Sequence, residues 1–227
     1  MCLSIELLLR QCVYLHEKLP HLYPLPQKGS LVRIVLATRN SHKLSEIQDI
    51  LAGRDVEVIC LDDLDGIPDV PEEQDTFEGN ALQKARFVFE RTGLTTVADD
   101  SGIAVDALDG APGVYSKRFT PEATAEANNT RLLRELSDTD QRSARFVCAM
   151  AIVSSSGERI HTGTCEGQIA HAPRGSGGFG YDPLFLPDDT PGRAMAELSP
   201  DEKNAISHRG RAFTKLTELL DDLLTQR

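Results

Sequence analysis

"LVRIVLATRNSHKLSEIQDILAGRDVEVICL", residues 31–61, decides the fold class. Its first part, "LVRIVLAT", is a β-branched apolar run suited to a buried strand. The chain then turns polar through "TRNSHK", and Leu44, Ile47, Ile50 and Leu51 recur at helical spacing. Asn40 or Ser41 is a suitable N-cap for that helix, and Gly53 suits its end. "VEVICL", residues 56–61, restores strand composition. The opening is therefore a strand, helix, strand unit of an α/β protein.

Working outward, residues 62–75 carry seven acidic groups and two prolines, which predicts a polar loop. A helix is expected from about Thr76 to Arg91, capped by Asp75 with Glu78 in capping-box spacing. Phe77, Ala81, Leu82, Ala85, Phe87 and Val88 supply its apolar faces. "GLTTVADD", residues 93–100, reads as a strand that ends on two carboxylates, because Asp, Ser and Gly in "VADDSG" are turn formers. After it come a short strand, a Gly- and Pro-rich loop through "GAPGVYSKRF", and a helix at about 121–137. "SARFVCAMAIVSSSGERIHTGTCEGQIA", residues 143–170, predicts a hairpin around a Ser and Gly turn. A glycine-dense loop, "PRGSGGFGYDPLF", follows at 173–185. Ser199, Pro200 and Glu202 then spell an N-cap, a first-turn proline and a capping-box acid. In the last helix Leu216, Leu219, Leu220, Leu223 and Leu224 form a stripe for core or subunit contact.

With 227 residues and 40% hydrophobic content the chain can bury one large domain. Lys and Arg total 24 against 35 Asp and Glu, a net charge of −11. That balance argues against a broad nucleic-acid or anionic-lipid surface, so an anionic ligand has to be held by a local cluster. The five cysteines are odd in number, scattered and free of C-x-x-C spacing, which points to reduced thiols in a cytoplasmic protein and not to disulfides or zinc. No apolar run is long enough for a membrane span. Residues 1–30 read as a weakly helical arm on a flexible joint, or as sequence upstream of the true start, and 31–227 as a single domain.

Four stretches could carry chemistry. "LATRNSHK", residues 36–43, feeds a strand end into a helix N-terminus, where free backbone N–H groups suit phosphate; taken alone, plain N-capping with solvent-facing bases is the simpler account. "VADDSG" offers hard oxygen ligands suited to Mg²⁺, with Glu72 or Glu73 from the acidic loop as further donors, or else a turn. In "GSGGFGYDP", residues 175–183, glycines permit close backbone approach while Phe179 and Tyr181 offer faces for a base; a hairpin with packed aromatics is the alternative. "EKNAISHRG", residues 202–210, groups Lys203, Ser207, His208 and Arg209, or simply decorates a surface helix.

Taken in order, "LATRNSHK", "VADDSG", "GAPGVYSKRF", "GGFGYDP" and "LSPDEKNAISHRGRA" resemble the motifs of the inosine triphosphate pyrophosphatase family, specifically its bacterial dITP/XTP pyrophosphatases. The likeness runs from about Leu31 to the C-terminus. It implies an elongated two-lobed α/β fold around a long mixed sheet flanked by helices, a cytoplasmic homodimer, and Mg²⁺-dependent hydrolysis of ITP, dITP and XTP to monophosphate and pyrophosphate. Carried residue by residue, Thr38, Arg39, Asn40, Ser41, His42 and Lys43 bind the triphosphate and Ser101 contacts substrate. Asp100 is general base and metal ligand, and Glu72 is the second metal ligand. Phe179, Gly180, Tyr181, Asp182, Lys203, His208 and Arg209 surround the nucleotide, with Phe179 against the base and His208 and Arg209 near its 6-oxo edge. The loop departs from the family pattern in "PEEQDTF", where Glu73 could replace Glu72, and in "FEGNA", where Gly79 stands in place of an acid. Two rivals are a Maf-like pyrophosphatase of other base specificity and a non-catalytic nucleotide-binding module.

Overall fold

The computed structural model describes residues 32–53, 56–64, 66–70 and 72–225, so the arm expected over 1–30 lies outside the described residues. The opening unit forms as its composition requires. Strand β1 (Val32–Leu36) leads into helix α1 (Ser41–Leu51), and β2 (Val56–Cys60) returns parallel to β1. Asn40 caps α1, its side-chain oxygen accepting from the backbone N–H groups of His42 (3.0 Å) and Lys43 (3.2 Å).

Helix α2 (Phe77–Thr92) follows the acidic loop. Its cap is Thr76 and not Asp75: the Thr76 hydroxyl accepts from Gly79 N at 3.0 Å. Glu78 closes no capping box there and instead accepts from Thr162 Oγ1 at 2.8 Å. The chain continues through β3 (Thr96–Val105), α3 (Ala125–Glu135), β4 (Ser143–Ser154), β5 (Gly157–Ile169) and the short β6 (Phe185–Pro187). Two helices close it, α4 (Pro200–Ile206) and α5 (His208–Thr225). The capping box of Ser199 and Glu202 is present at the start of α4. Ser207, extended at φ −66° and ψ 155°, separates α4 from α5. Its hydroxyl accepts from Gly210 N at 3.0 Å at the start of α5.

The six strands form one mixed sheet in the order β2-β1-β3-β4-β5-β6. β1 runs parallel to β2 and β3, and the β3, β4, β5, β6 series is antiparallel. Helices cover both faces. On one, Ile34, Leu36, Val97, Cys148 and Met150 pack against Ile47 and Leu51 of α1 and Ala212, Phe213 and Leu216 of α5. On the other, Val35, Ala98, Ala149 and Ala151 meet Ala81, Ala85 and Val88 of α2. Further along the long strands a third cluster joins Ile103, Val105, Phe146 and Phe185 to Leu132 and Leu136 of α3. Each fully buried Ile, Leu or Phe in these layers contributes roughly 1.5–3 kcal/mol.

The main departure from the sequence reading is β3. "VADDSG" is neither a turn nor a strand end; it lies inside a strand of ten residues. The strand continues because every residue from Thr96 to Val105 is paired with β4, Asp99 opposite Met150 and Asp100 opposite Ala149. β1, in contrast, pairs with β3 only as far as Leu36↔Val97. β3 therefore outruns its parallel neighbour, and the two carboxylates stand at the edge that β1 leaves open. Among the described residues no helix is long and apolar enough to cross a membrane.

Candidate active site

Successive residues of a strand point to opposite faces, so Asp99 and Asp100 never meet as a pair. Asp99 faces α1 and α5. Lys43 Nζ lies 2.8 Å from its Oδ2 and Arg209 Nη2 3.4 Å away, while the Ser101 hydroxyl donates to it at 3.3 Å. Burial pushes its pKa up, but Lys43, Arg209 and Lys84 outweigh that and hold the carboxyl far below the ordinary range. Asp100 faces α2. Asn80 Nδ2 donates to its Oδ2 at 2.9 Å, and Lys84 Nζ stands 3.8 Å from its Oδ1. Here burial raises the pKa, Lys84 opposes, and the negative Glu72 adds to the rise, leaving Asp100 above the ordinary carboxylate range. The two residues are 3% and 5% exposed, so their neighbours and not their burial set them apart.

Lys84 organises the α2 side. Its ammonium donates to Glu72 Oε1 at 2.8 Å and to the Asp99 carbonyl at 2.6 Å. That carbonyl belongs to the β3 edge that β1 leaves open, and Lys84 satisfies it. Despite burial the three acids hold the Lys84 pKa up. Arg118 reaches the same loop, donating to the Glu72 carbonyl at 3.0 Å. Glu73 is exposed.

A second group gathers on the α1 and α5 face. Lys203 Nζ is held between Asp182 Oδ2 (2.7 Å) and Glu46 Oε1 (2.8 Å), and Glu46 also pairs with Arg209. Arg209 donates to the Ser101 hydroxyl at 2.9 Å. Asp182 also shapes the glycine loop, accepting from Phe179 N at 2.7 Å. Only glycine fits at 178, where φ is +69° and a Cβ would lie 2.0 Å from Asp182 Oδ2. The Phe179 ring stacks on His42 at 5.2 Å, with Lys203 Nζ 4.8 Å from its centroid. His208 is buried, and desolvation with the nearby charges of Arg209 and Lys203 keeps its pKa well below the ordinary value, so the ring is neutral at neutral pH.

One cavity of about 940 Å³, open mouth included, joins the two groups. Glu72, Asp100, Ser101, Asn40 and Lys43 line one end; Phe179, Gly180, Tyr181, Asp182, Lys203, His208 and Arg209 line the other. The described residues contain no group of three or more His, Cys, Asp or Glu side chains placed to hold a metal by themselves.

The model of the Ham1 family matches residues 34–219, a span that contains both ends of this cavity. The chain belongs to the Ham1 family. It is 49% identical over 194 residues to a dITP/XTP pyrophosphatase of Geobacter sulfurreducens, covering 84% of this chain and 97% of the relative. It is 47% identical over 201 residues to one of Mycolicibacterium paratuberculosis, covering 86% and 98%. A Ham1 protein structure from Coxiella burnetii superposes with a TM-score of 0.77 at 42% identity, covering 84% of this chain and 99% of that one. A nucleoside-triphosphatase / dITP/XTP pyrophosphatase structure from Mycobacterium abscessus gives 0.67 at 46% identity, covering 81% and 98%.

Within this Ham1 fold, four residues read from "TRNSHK" stand apart from the cavity lining. Arg39 is turned outward, ion-paired with Asp62 and, at 2.8 Å, with Asp69, and donating to the Ile67 carbonyl at 2.5 Å. Thr38 accepts from Asn40 N at 3.2 Å, Ser41 begins α1, and His42 meets Phe179. Sequence reasoning missed Lys84, Asn80 and Glu46. Lys84 carried a usable signal: it falls on the apolar stripe of Phe77, Ala81, Ala85 and Val88, where a lysine needs buried partners. Glu46 carried none, because a half-buried Glu three residues after Lys43 on a helix is ordinary.

Proposed function

We propose that this chain hydrolyses non-standard purine nucleoside triphosphates, dITP, ITP and XTP, to the monophosphate and pyrophosphate. The observation that carries the reading is a single cavity with a proton-accepting carboxylate at one end and, at the other, an aromatic face beside buried nitrogen donors. Relatives that match this chain over 84% or more of its length bear the name dITP/XTP pyrophosphatase.

At the first end, Asp100 takes the proton of a water aligned on the α-phosphorus, a task its raised pKa suits. Lys43 lines the same end and offers positive charge to the phosphates. Lys84 holds Glu72 and Asp100 in register across the acidic loop and α2. The donor set fits Mg²⁺: Glu72 and Asp100, two hard carboxylates, line one cavity. Mg²⁺ takes one or two carboxylates plus substrate phosphates, and when held by Glu72 and Asp100 it would neutralise phosphate charge and acidify a water.

At the second end, Phe179 packs against the base and His208 and Arg209 read its 6-position. Arg209 Nε is buried without a hydrogen-bond partner among the described residues and can only donate. A 6-oxo group accepts from it, whereas the 6-amino group of adenine sets donor against donor and leaves buried groups unpaired. A homodimer and a cytoplasmic location, implied by the family resemblance, belong to the same proposal.

The test supplies purified protein and Mg²⁺ with ITP, dITP, XTP, ATP, GTP and dTTP, and identifies products. Preference for the first three with pyrophosphate release is expected. Equal rates on ITP and ATP, or orthophosphate as the first product, would overturn the reading; preference for dTTP would point to the Maf-like alternative.

A further inference from the structure

The geometry points to Phe146 as the positioning residue for His208, and through it as a determinant of base selectivity. The inference rests on the reading of the base end given above. A histidine that reads a ligand is ordinarily oriented by a hydrogen bond on its other ring nitrogen. His208 lacks that support: its Nδ1 is buried with no partner, and no hydrogen bond to its ring is formed among the described residues.

What it has is a plane. The Phe146 ring lies parallel to the imidazole, 15° between planes and 4.7 Å between centroids. Phe146 is in turn fixed, tilted against Phe185 at 4.5 Å and 54° and paired on its strand with Cys165. The backbone of His208 is fixed from another side. β5 packs so close to the start of α5 that a Cβ at Gly163 would lie 2.3 Å from the His208 carbonyl oxygen. With backbone and one ring face held, rotation of the imidazole is restricted by Phe146. Both residues line the cavity, so the orientation is presented to the ligand. Burial keeps the ring neutral, with a tautomer free to follow the ligand and a plane that is not.

The test compares kcat/KM for dITP with that for dATP. Phe146→Leu keeps an apolar side chain and removes the flat face. It should lower the dITP preference about tenfold, and should lower it no further in a His208→Ala background, since contacts in one unit are not additive. An unchanged preference in folded Phe146→Leu, or an equal loss in both backgrounds, would overturn the role of Phe146 alone. A wild type that does not prefer dITP would overturn the base-end reading and this inference with it. If Phe146→Leu does not fold, the His208 ring protons of the wild type decide by NMR. Upfield displacement by the Phe146 ring is expected, and unstacked shifts would overturn the inference.

Discussion

Asp99 and Asp100 share one strand, nearly equal burial and one peptide bond, yet they face different chemistry. Asp99 looks toward Lys43 and Arg209 and is held ionised; Asp100 looks toward Asn80, Lys84 and Glu72 and is pushed toward its protonated form. The strand's two-residue period assigns each carboxylate to its own layer of helices. One is thereby a fixed counter-ion that holds cations, and the other a group able to take up a proton. Adjacent like charges are costly when they share a site; placing them on opposite faces avoids that.

The comparison breaks most visibly at Asp100. Asp100→Asn removes the proposed base and a proposed metal-holding oxygen together, and turnover on dITP should fall about 10⁴-fold. The folded state should not suffer. An Asp with a raised pKa contributes full stability below the ordinary carboxylate value and loses it as pH rises through its folded value, so at neutral pH the charged form costs stability. The variant should therefore melt above wild type in thermal unfolding, a trade of stability for function.

Asp99→Asn should do the reverse. It leaves the Arg209 and Lys43 cations without their counter-ion and should cost about 3 kcal/mol in denaturant unfolding. The sign of its pH dependence is fixed too. A depressed carboxylate contributes stability that is full above about pH 4, the unfolded value, and is lost as pH falls toward its folded value. The gap between wild type and Asp99→Asn should thus close below pH 4.

Smaller effects sharpen the assignment. Lys84→Met removes the cation that lowers the Asp100 pKa, so the acid limb of kcat/KM should move to higher pH, with rates recovering on the alkaline side. A uniform loss at all pH values would show that Lys84 acts only structurally. Arg39→Ala should change kcat by no more than about twofold, because its exposed ion pairs tie a loop and add little. A large loss would return Arg39 to the phosphate site.

Much of this was legible in the sequence. The strand, helix, strand opening, the Ser199 cap with Pro200, and the β4 and β5 hairpin formed as their local signals required. That Asp100, Phe179, Lys203, His208 and Arg209 line one cavity was implied only by the family resemblance, because five motifs in one order carry more information than any single pattern. The departures have separate causes. In "VADDSG" local propensity favours a turn, while the cations that let two carboxylates stay inside a strand come from Lys43, Lys84 and Arg209, far apart in the chain. Thr76 in place of Asp75 is an ordinary one-residue shift at a helix end. The break at Ser207, which divides α4 from α5 and begins the latter with His208, had no signal beyond a serine.

The most direct measurement is a residue-resolved NMR titration of the Asp99 and Asp100 side-chain carboxyl carbons in the folded protein, from neutral pH down to the acid limit of folding. The predicted result is an inflection for Asp100 above the ordinary carboxylate range and none for Asp99 while the fold persists. Two inflections together near pH 4, or a raised value at Asp99 with a depressed one at Asp100, would contradict the division of labour across β3.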